Sequence, residues 1–147
     1  MLTETLKALF AKDLDRLRKE IESYKDEKVM WSVQKNIPNS AGNLCLHLIG
    51  NLNHYIGAGI GKTSYIRQRD LEFSLKDIPK RELIQRIEKT KTVVETALDK
   101  LSESDLEAEY PEVVFEKKST VQYLLVQLST HLTYHLGQIN YHRRLLD

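Results

Sequence analysis

The sequence predicts an all-α fold, a four-helix bundle with long connectors. The chain has 147 residues, the usual size of one domain, so a single domain over residues 1–147 is expected. It contains only six glycines and three prolines, which favours long regular elements. Four segments of about 20 residues each place apolar side chains three or four positions apart, the spacing of a helix that buries one face.

The first helix is predicted over about residues 3–24, with charged side chains opposite its apolar face. The linker that follows ends at Pro38, which disfavours helical backbone in the residue before it. Asn39 or Ser40 can then cap the second helix, which is predicted over about residues 41–60. The apolar face of the first helix comprises Leu6, Leu9, Phe10, Leu14, Leu17, Ile21 and Tyr24.

The second helix is apolar over a wide arc, so it is predicted to be the most buried of the four. Gly57, Gly59 and Gly61 weaken its end and are expected to terminate it. Residues 61–78 are then predicted to form a connector.

The third helix is predicted to begin near Pro79, which is well tolerated at a first helical position. Residues 102–105 either end this helix or cap a short extra turn. Residues 110–115 are predicted to form an extended loop or a short hairpin arm. Residues 119–122 match a capping box with the serine as N-cap, so the last helix is predicted from there to about Leu146.

The composition excludes several functional classes. Twenty-two basic and 21 acidic residues leave a net charge of +1, so no nucleic-acid partner and no membrane surface are expected. No segment is apolar enough to span a bilayer, and the acidic N-terminus does not resemble a signal peptide. Cys45 is the only cysteine, which excludes an intrachain disulfide and suits a reducing, cytoplasmic location.

The five histidines form the clearest functional pattern, because all lie on the second and fourth predicted helices. His131 and His135 are four residues apart, which places two imidazoles on one helix face, close enough to share a metal ion. His47 can supply a third nitrogen if the two helices are neighbours. Three neutral imidazoles with open positions describe a divalent metal site of the catalytic type.

Other interpretations of these residues remain open at this point. A histidine pair on an amphipathic helix is often only a satisfied polar pair. His54 and His142 each lie seven residues beyond a proposed ligand, about 10 Å further along the helix, so they either line a cavity mouth or lie at the bundle end. Di-iron and zincin sites are excluded, because no Glu-x-x-His or His-Glu-x-x-His occurs. Cys45 points away from His47 and is expected in the core.

Further polar residues lie near the proposed ligands in sequence. Asn51 and Gln138 can orient ligands, contact substrate or simply face water. Arg67, Arg69 and Glu72 lie in the connector after the second helix, where they can bridge helices or bring a guanidinium over the metal to hold an anionic substrate.

Three segments stand out together: residues 43–52 (NLCLHLIGNL), 67–73 (RQRDLEF) and 131–139 (HLTYHLGQI). Together they resemble the DinB-like superfamily, which includes bacillithiol transferases and mycothiol-dependent maleylpyruvate isomerases. The resemblance is greatest to a group of uncharacterised bacterial proteins within it. The resemblance implies a four-helix bundle, frequently a homodimer, with a divalent metal, often zinc or nickel, held by His47, His131 and His135.

The resemblance also implies an enzyme acting on a small molecule. The first expectation is an S-transferase that uses a low-molecular-weight thiol as co-substrate. The first alternative is a metal-dependent hydrolase, which would need Glu72 or Asp70 as a general base. The second alternative is a non-enzymatic stress-response module or metal sensor. A catalytic metal keeps an open position in a cavity that solvent can reach, whereas a structural metal is enclosed.

Overall fold

The computed structural model describes all 147 residues, and the fold is all-α. Four long helices form a bundle with long connectors, which confirms the predicted fold class. No helix combines the length and the apolarity needed to cross a bilayer. The helices are α1 (Leu2–Glu22), α2 (Ala41–Leu52), α3 (Arg69–Ser74), α4 (Lys80–Asp99), α5 (Glu103–Glu107) and α6 (Val121–Leu146).

The long helices α1, α2, α4 and α6 bury a common hydrophobic core. α1 packs against α4 and α6, while α2 packs against α6, α4 and the short α3. Every residue of α2 is buried, as its wide apolar arc predicts. The contact between α2 and α6 positions the candidate site, because it brings histidines from two distant parts of the chain together.

The end of α2 differs from the prediction. The helix continues as a π-helical turn over Asn53–Ala58, and no glycine has a positive φ; the left-handed residue is Lys62, with φ 58°. The helical segment still ends among Gly57, Gly59 and Gly61, as the sequence predicts, although none of these glycines adopts the left-handed conformation. Gly59 instead allows a close approach, since a Cβ there would overlap the hydroxyl oxygen of Tyr110. That hydroxyl donates a hydrogen bond to the carbonyl oxygen of Tyr55 at 2.9 Å.

The helix α3 lies inside the connector at residues 61–78, and the sequence pattern does not predict it. It is only six residues long, and Glu72 is its one buried residue. Asn43 of α2 holds α3 against the bundle. The Nδ2 atom of Asn43 donates hydrogen bonds to the carbonyl oxygens of Glu72 at 2.9 Å and Leu75 at 2.8 Å. These two hydrogen bonds fix the backbone that carries Glu72.

The start of α6 is one residue later than its sequence pattern predicts. Thr120 is the N-cap, and its Oγ1 atom accepts a hydrogen bond from the backbone N–H of Tyr123 at 3.1 Å. The predicted capping box with Ser119 does not form, because the N-cap is Thr120. Thr120 forms no capping box either, because the third helical residue, Tyr123, has no carboxylate or amide that could accept a hydrogen bond from the N-cap N–H. Residues 110–115 form a loop without a strand.

Candidate metal centre

Three histidine side chains from α2 and α6 converge on one point. His47 comes from the buried helix α2, and His131 and His135 come from successive turns of α6. The Nε2 atom of His131 lies 3.2 Å from Nε2 of His47 and 3.1 Å from Nε2 of His135. One ligand atom from each ring lies within 4.8 Å of the other two. The structure thus brings together the three histidines that the sequence predicts as ligands.

The separations of the three rings would allow them to hold one divalent ion. Zinc–imidazole bonds are about 2.0–2.1 Å long, so two nitrogens on one tetrahedral ion lie roughly 3.3 Å apart. Burial, aided by the nearby His135, His47 and Arg67, lowers the pKa of His131 to about 4. Burial also lowers the pKa of His135, although its hydrogen bond to Gln138 opposes the change. Imidazole binds metal as the neutral ring, so protons do not compete for these two rings near pH 7.

Glu72 orients the ring of His47. Its Oε1 atom accepts a hydrogen bond from Nδ1 of His47 at 3.0 Å, which leaves the Nε2 lone pair of that ring facing the cluster. Arg67 holds the same carboxylate with two hydrogen bonds, from Nε at 2.9 Å and Nη2 at 3.0 Å. Burial raises the pKa of Glu72, but the hydrogen bonds from His47 and Arg67 outweigh it and lower that pKa. An ionised carboxylate behind a ligand histidine is the usual support of a metal-binding imidazole.

Gly50 makes the contact between Glu72 and His47 sterically possible. A Cβ at residue 50 would overlap the carboxylate of Glu72. The absence of a side chain therefore lets α3 lie against α2 with its carboxylate between the helices. The sequence pattern gives no sign of this role, because a glycine within an apolar helix only indicates lower helix propensity.

The other candidate residues occupy different positions around the cluster. Gln138 accepts a hydrogen bond from Nδ1 of His135 at 2.7 Å, so it orients a predicted ligand. Asn51 is buried one helical turn beyond His47, and its Oδ1 atom has no hydrogen-bond partner. Arg69 lies over the ring of Phe73, 5.4 Å from its centroid.

A cavity of about 540 Å³ opens beside the cluster. His47 and His131 form part of its wall, and no aspartate or glutamate lines it. A small molecule in this cavity would therefore reach the two histidines and meet a positively charged wall at Arg69. The remaining lining residues are Asn51, Tyr55, Arg67, Val114, Phe115, Gln127, Leu128, Thr130 and Tyr134.

The two remaining histidines and Cys45 lie outside the cluster. His142 is buried and both of its ring nitrogens have partners, the hydroxyl of Tyr24 at 2.7 Å and a backbone carbonyl oxygen at 2.8 Å. These two hydrogen bonds connect the end of α6 to Tyr24, which follows α1, and to Ser32. His54 pairs with Glu112 at 3.3 Å. Cys45 is fully buried in the core, as expected, and burial raises the pKa of its thiol to about 12.

Comparison with known proteins gives a family and no activity. No curated protein matches the sequence. Residues 2–147 match the family DUF1572, which is described as a protein of unknown function. Because that match covers nearly the entire chain, the protein belongs to the DUF1572 family.

Proposed function

We propose that the protein is a divalent-metal-dependent enzyme of the DinB-like superfamily. The observation that carries the proposal is the convergence of three histidine nitrogens beside an open cavity, whose wall includes His47 and His131. Structural zinc sites enclose the ion with four protein ligands, whereas catalytic sites supply three and leave one position for water or substrate. The cluster here offers three ligand atoms, from His47, His131 and His135. The resemblance of residues 131–139 to the superfamily supports the same assignment.

The reaction that we propose is S-transfer from a low-molecular-weight thiol to an electrophilic small molecule. Zinc or nickel held by the three histidines would supply Lewis acidity, which lowers the pKa of a thiol placed at the open position. Arg69 can bind an anionic group of either substrate on the cavity wall. In the transfer the thiol proton passes to solvent, the sulfur forms a bond to the electrophilic carbon, and the leaving group departs with the electron pair of the broken bond.

The positions of the acidic residues favour S-transfer over hydrolysis. Amide hydrolysis by a metal-bound hydroxide needs a protein group that can pass a proton to the leaving amine. Glu72 is buried, and its two oxygens already accept hydrogen bonds from His47 and Arg67. Asp70 is exposed on α3 and does not line the cavity. Neither carboxylate is therefore placed to pass this proton, and S-transfer to an electrophile whose leaving group departs as a stable anion does not require one.

We expect the zinc- or nickel-loaded protein to consume a thiol in the presence of a model electrophile. The measurement is the loss of free thiol over time with bacillithiol, mycothiol or glutathione, each compared with the rate without protein. His131→Ala is the control and should react at the background rate. If none of the three thiols is consumed above background by the metal-loaded protein, S-transfer is contradicted.

We also propose that the protein is a homodimer formed through α6. This helix exposes Tyr123, Val126, Tyr134, Tyr141 and Leu145, and several exposed apolar side chains on one helix are typical of an interaction site. Light scattering should give twice the 17.1 kDa mass of one chain. Tyr141→Glu should shift the mass to that of a single chain, because it buries a charge in the interface. A monomeric wild-type protein would contradict the proposal.

A further inference from the structure

Two of the three clustered rings have a hydrogen-bond acceptor behind them. His47 donates through Nδ1 to Glu72, and His135 donates through Nδ1 to Gln138. The Nδ1 atom of His131 is buried and has no partner. When a ring binds metal through Nε2, its proton lies on Nδ1, and a buried N–H without an acceptor is costly. The third ring therefore lacks the support that the other two have.

A free acceptor lies in the same wall of the cavity. The Oδ1 atom of Asn51 is buried without a partner, and the residue is only 7% exposed. Asn51 and His131 both line the cavity beside the cluster. The whole chain has three buried side-chain polar atoms without partners, and these two account for all but Trp31 Nε1. Since such atoms are rare in folded proteins, a donor and an acceptor at one site indicate a missing interaction.

We propose that Asn51 is the positioning residue for His131. In the metal-bound protein, the Nδ1–H group of His131 donates to Oδ1 of Asn51, directly or through one ordered water. This hydrogen bond fixes the tautomer that turns the Nε2 lone pair of His131 toward the ion. The inference rests on the proposed metal site and adds that every ligand histidine has its own acceptor: a carboxylate for His47 and an amide for each of the other two.

The test compares zinc affinity in three variants by competition with a chelator. Asn51→Leu removes the acceptor at similar volume, and the dissociation constant for zinc should rise by about 10- to 100-fold. Asn51→Asp keeps an acceptor and should bind zinc within a few-fold of wild type. Gln127→Leu is the matched control, an amide in the same cavity wall that bonds only to the hydroxyl of Tyr123 at 3.0 Å, and it should not change the affinity.

Two further readouts separate positioning from a merely structural role. Asn51→Leu should leave the metal-free protein at least as stable as wild type, because the lost oxygen has no partner. In proton–nitrogen NMR spectra of the zinc form, the Nδ1–H signal of His131 should be protected from exchange in wild type and lose that protection in Asn51→Leu.

Wild-type zinc affinity in Asn51→Leu would overturn the role of Asn51 while leaving the metal site intact. An equal loss in Asn51→Leu and Asn51→Asp would also overturn it, because the aspartate retains an acceptor. A wild-type protein that binds no zinc would instead contradict the metal site and, with it, this inference. Failure of the positioning role and failure of the proposed function are therefore distinguishable.

Discussion

Replacing His131 with alanine is expected to abolish divalent metal binding. His131 is the central ring of the cluster, with its Nε2 atom within 3.2 Å of both other Nε2 atoms. Its loss leaves two imidazoles on different helices. The fall in zinc affinity should therefore exceed the roughly 10- to 100-fold that follows the loss of a residue hydrogen-bonded to a metal ligand. Titration calorimetry of the metal-free protein measures this directly.

Thermal unfolding provides a second measure of the same change. At a zinc concentration 100 times the dissociation constant, binding should raise the free energy of unfolding of the wild-type protein by about 2.7 kcal/mol. Zinc at the same concentration should not raise the free energy of unfolding of His131→Ala. His54→Ala is the matched control, because His54 pairs with Glu112 and is not one of the three clustered histidines. It should keep the full zinc response. Equal zinc responses in His131→Ala and wild type would contradict the assignment.

Replacing Gly50 with alanine is expected to displace Glu72 from His47, because the new methyl group would occupy the space of the carboxylate. The ring of His47 then loses its acceptor, and zinc affinity should fall by about 10- to 100-fold. Arg67 also loses its buried partner, which costs about 3 kcal/mol, while the better helix propensity of alanine returns about 1 kcal/mol. The metal-free variant should therefore be about 2 kcal/mol less stable in urea unfolding.

Gly137→Ala is the matched control for this substitution. Gly137 lies on α6 between His135 and Gln138, and a Cβ there would meet nothing within 4 Å. The same chemical change should therefore raise stability by about 0.5–1 kcal/mol and leave zinc affinity unchanged. If Gly50→Ala behaves like Gly137→Ala, Glu72 does not support His47.

The fold and part of the site follow from local sequence patterns. The apolar spacing of the long helices determines which face each one buries. The helices α1, α4 and α6 begin and end within a few residues of the bounds that this spacing predicts. The pair His131 and His135 is recognisable because four residues make about one helical turn. His47 needed more than a local pattern, because its contribution depends on α2 lying beside α6.

The support behind the histidines depends on tertiary contacts that leave little trace in sequence. Glu72 reaches His47 only because the amide of Asn43 holds α3 and Gly50 leaves room for the carboxylate. Neither an asparagine nor a glycine in an apolar helix predicts such a contact. The helix α3 is also too short for its apolar spacing to show, since a single buried residue defines no face.

X-ray absorption spectroscopy of the zinc-loaded wild-type protein tests the three-histidine centre with one measurement. Zinc should be retained at one ion per chain, with three imidazole nitrogens at about 2.0–2.1 Å and a further light atom from solvent, because Cys45 is buried in the core. A protein that retains no zinc, or a spectrum without imidazole scattering from three rings, would contradict a metal centre formed by His47, His131 and His135.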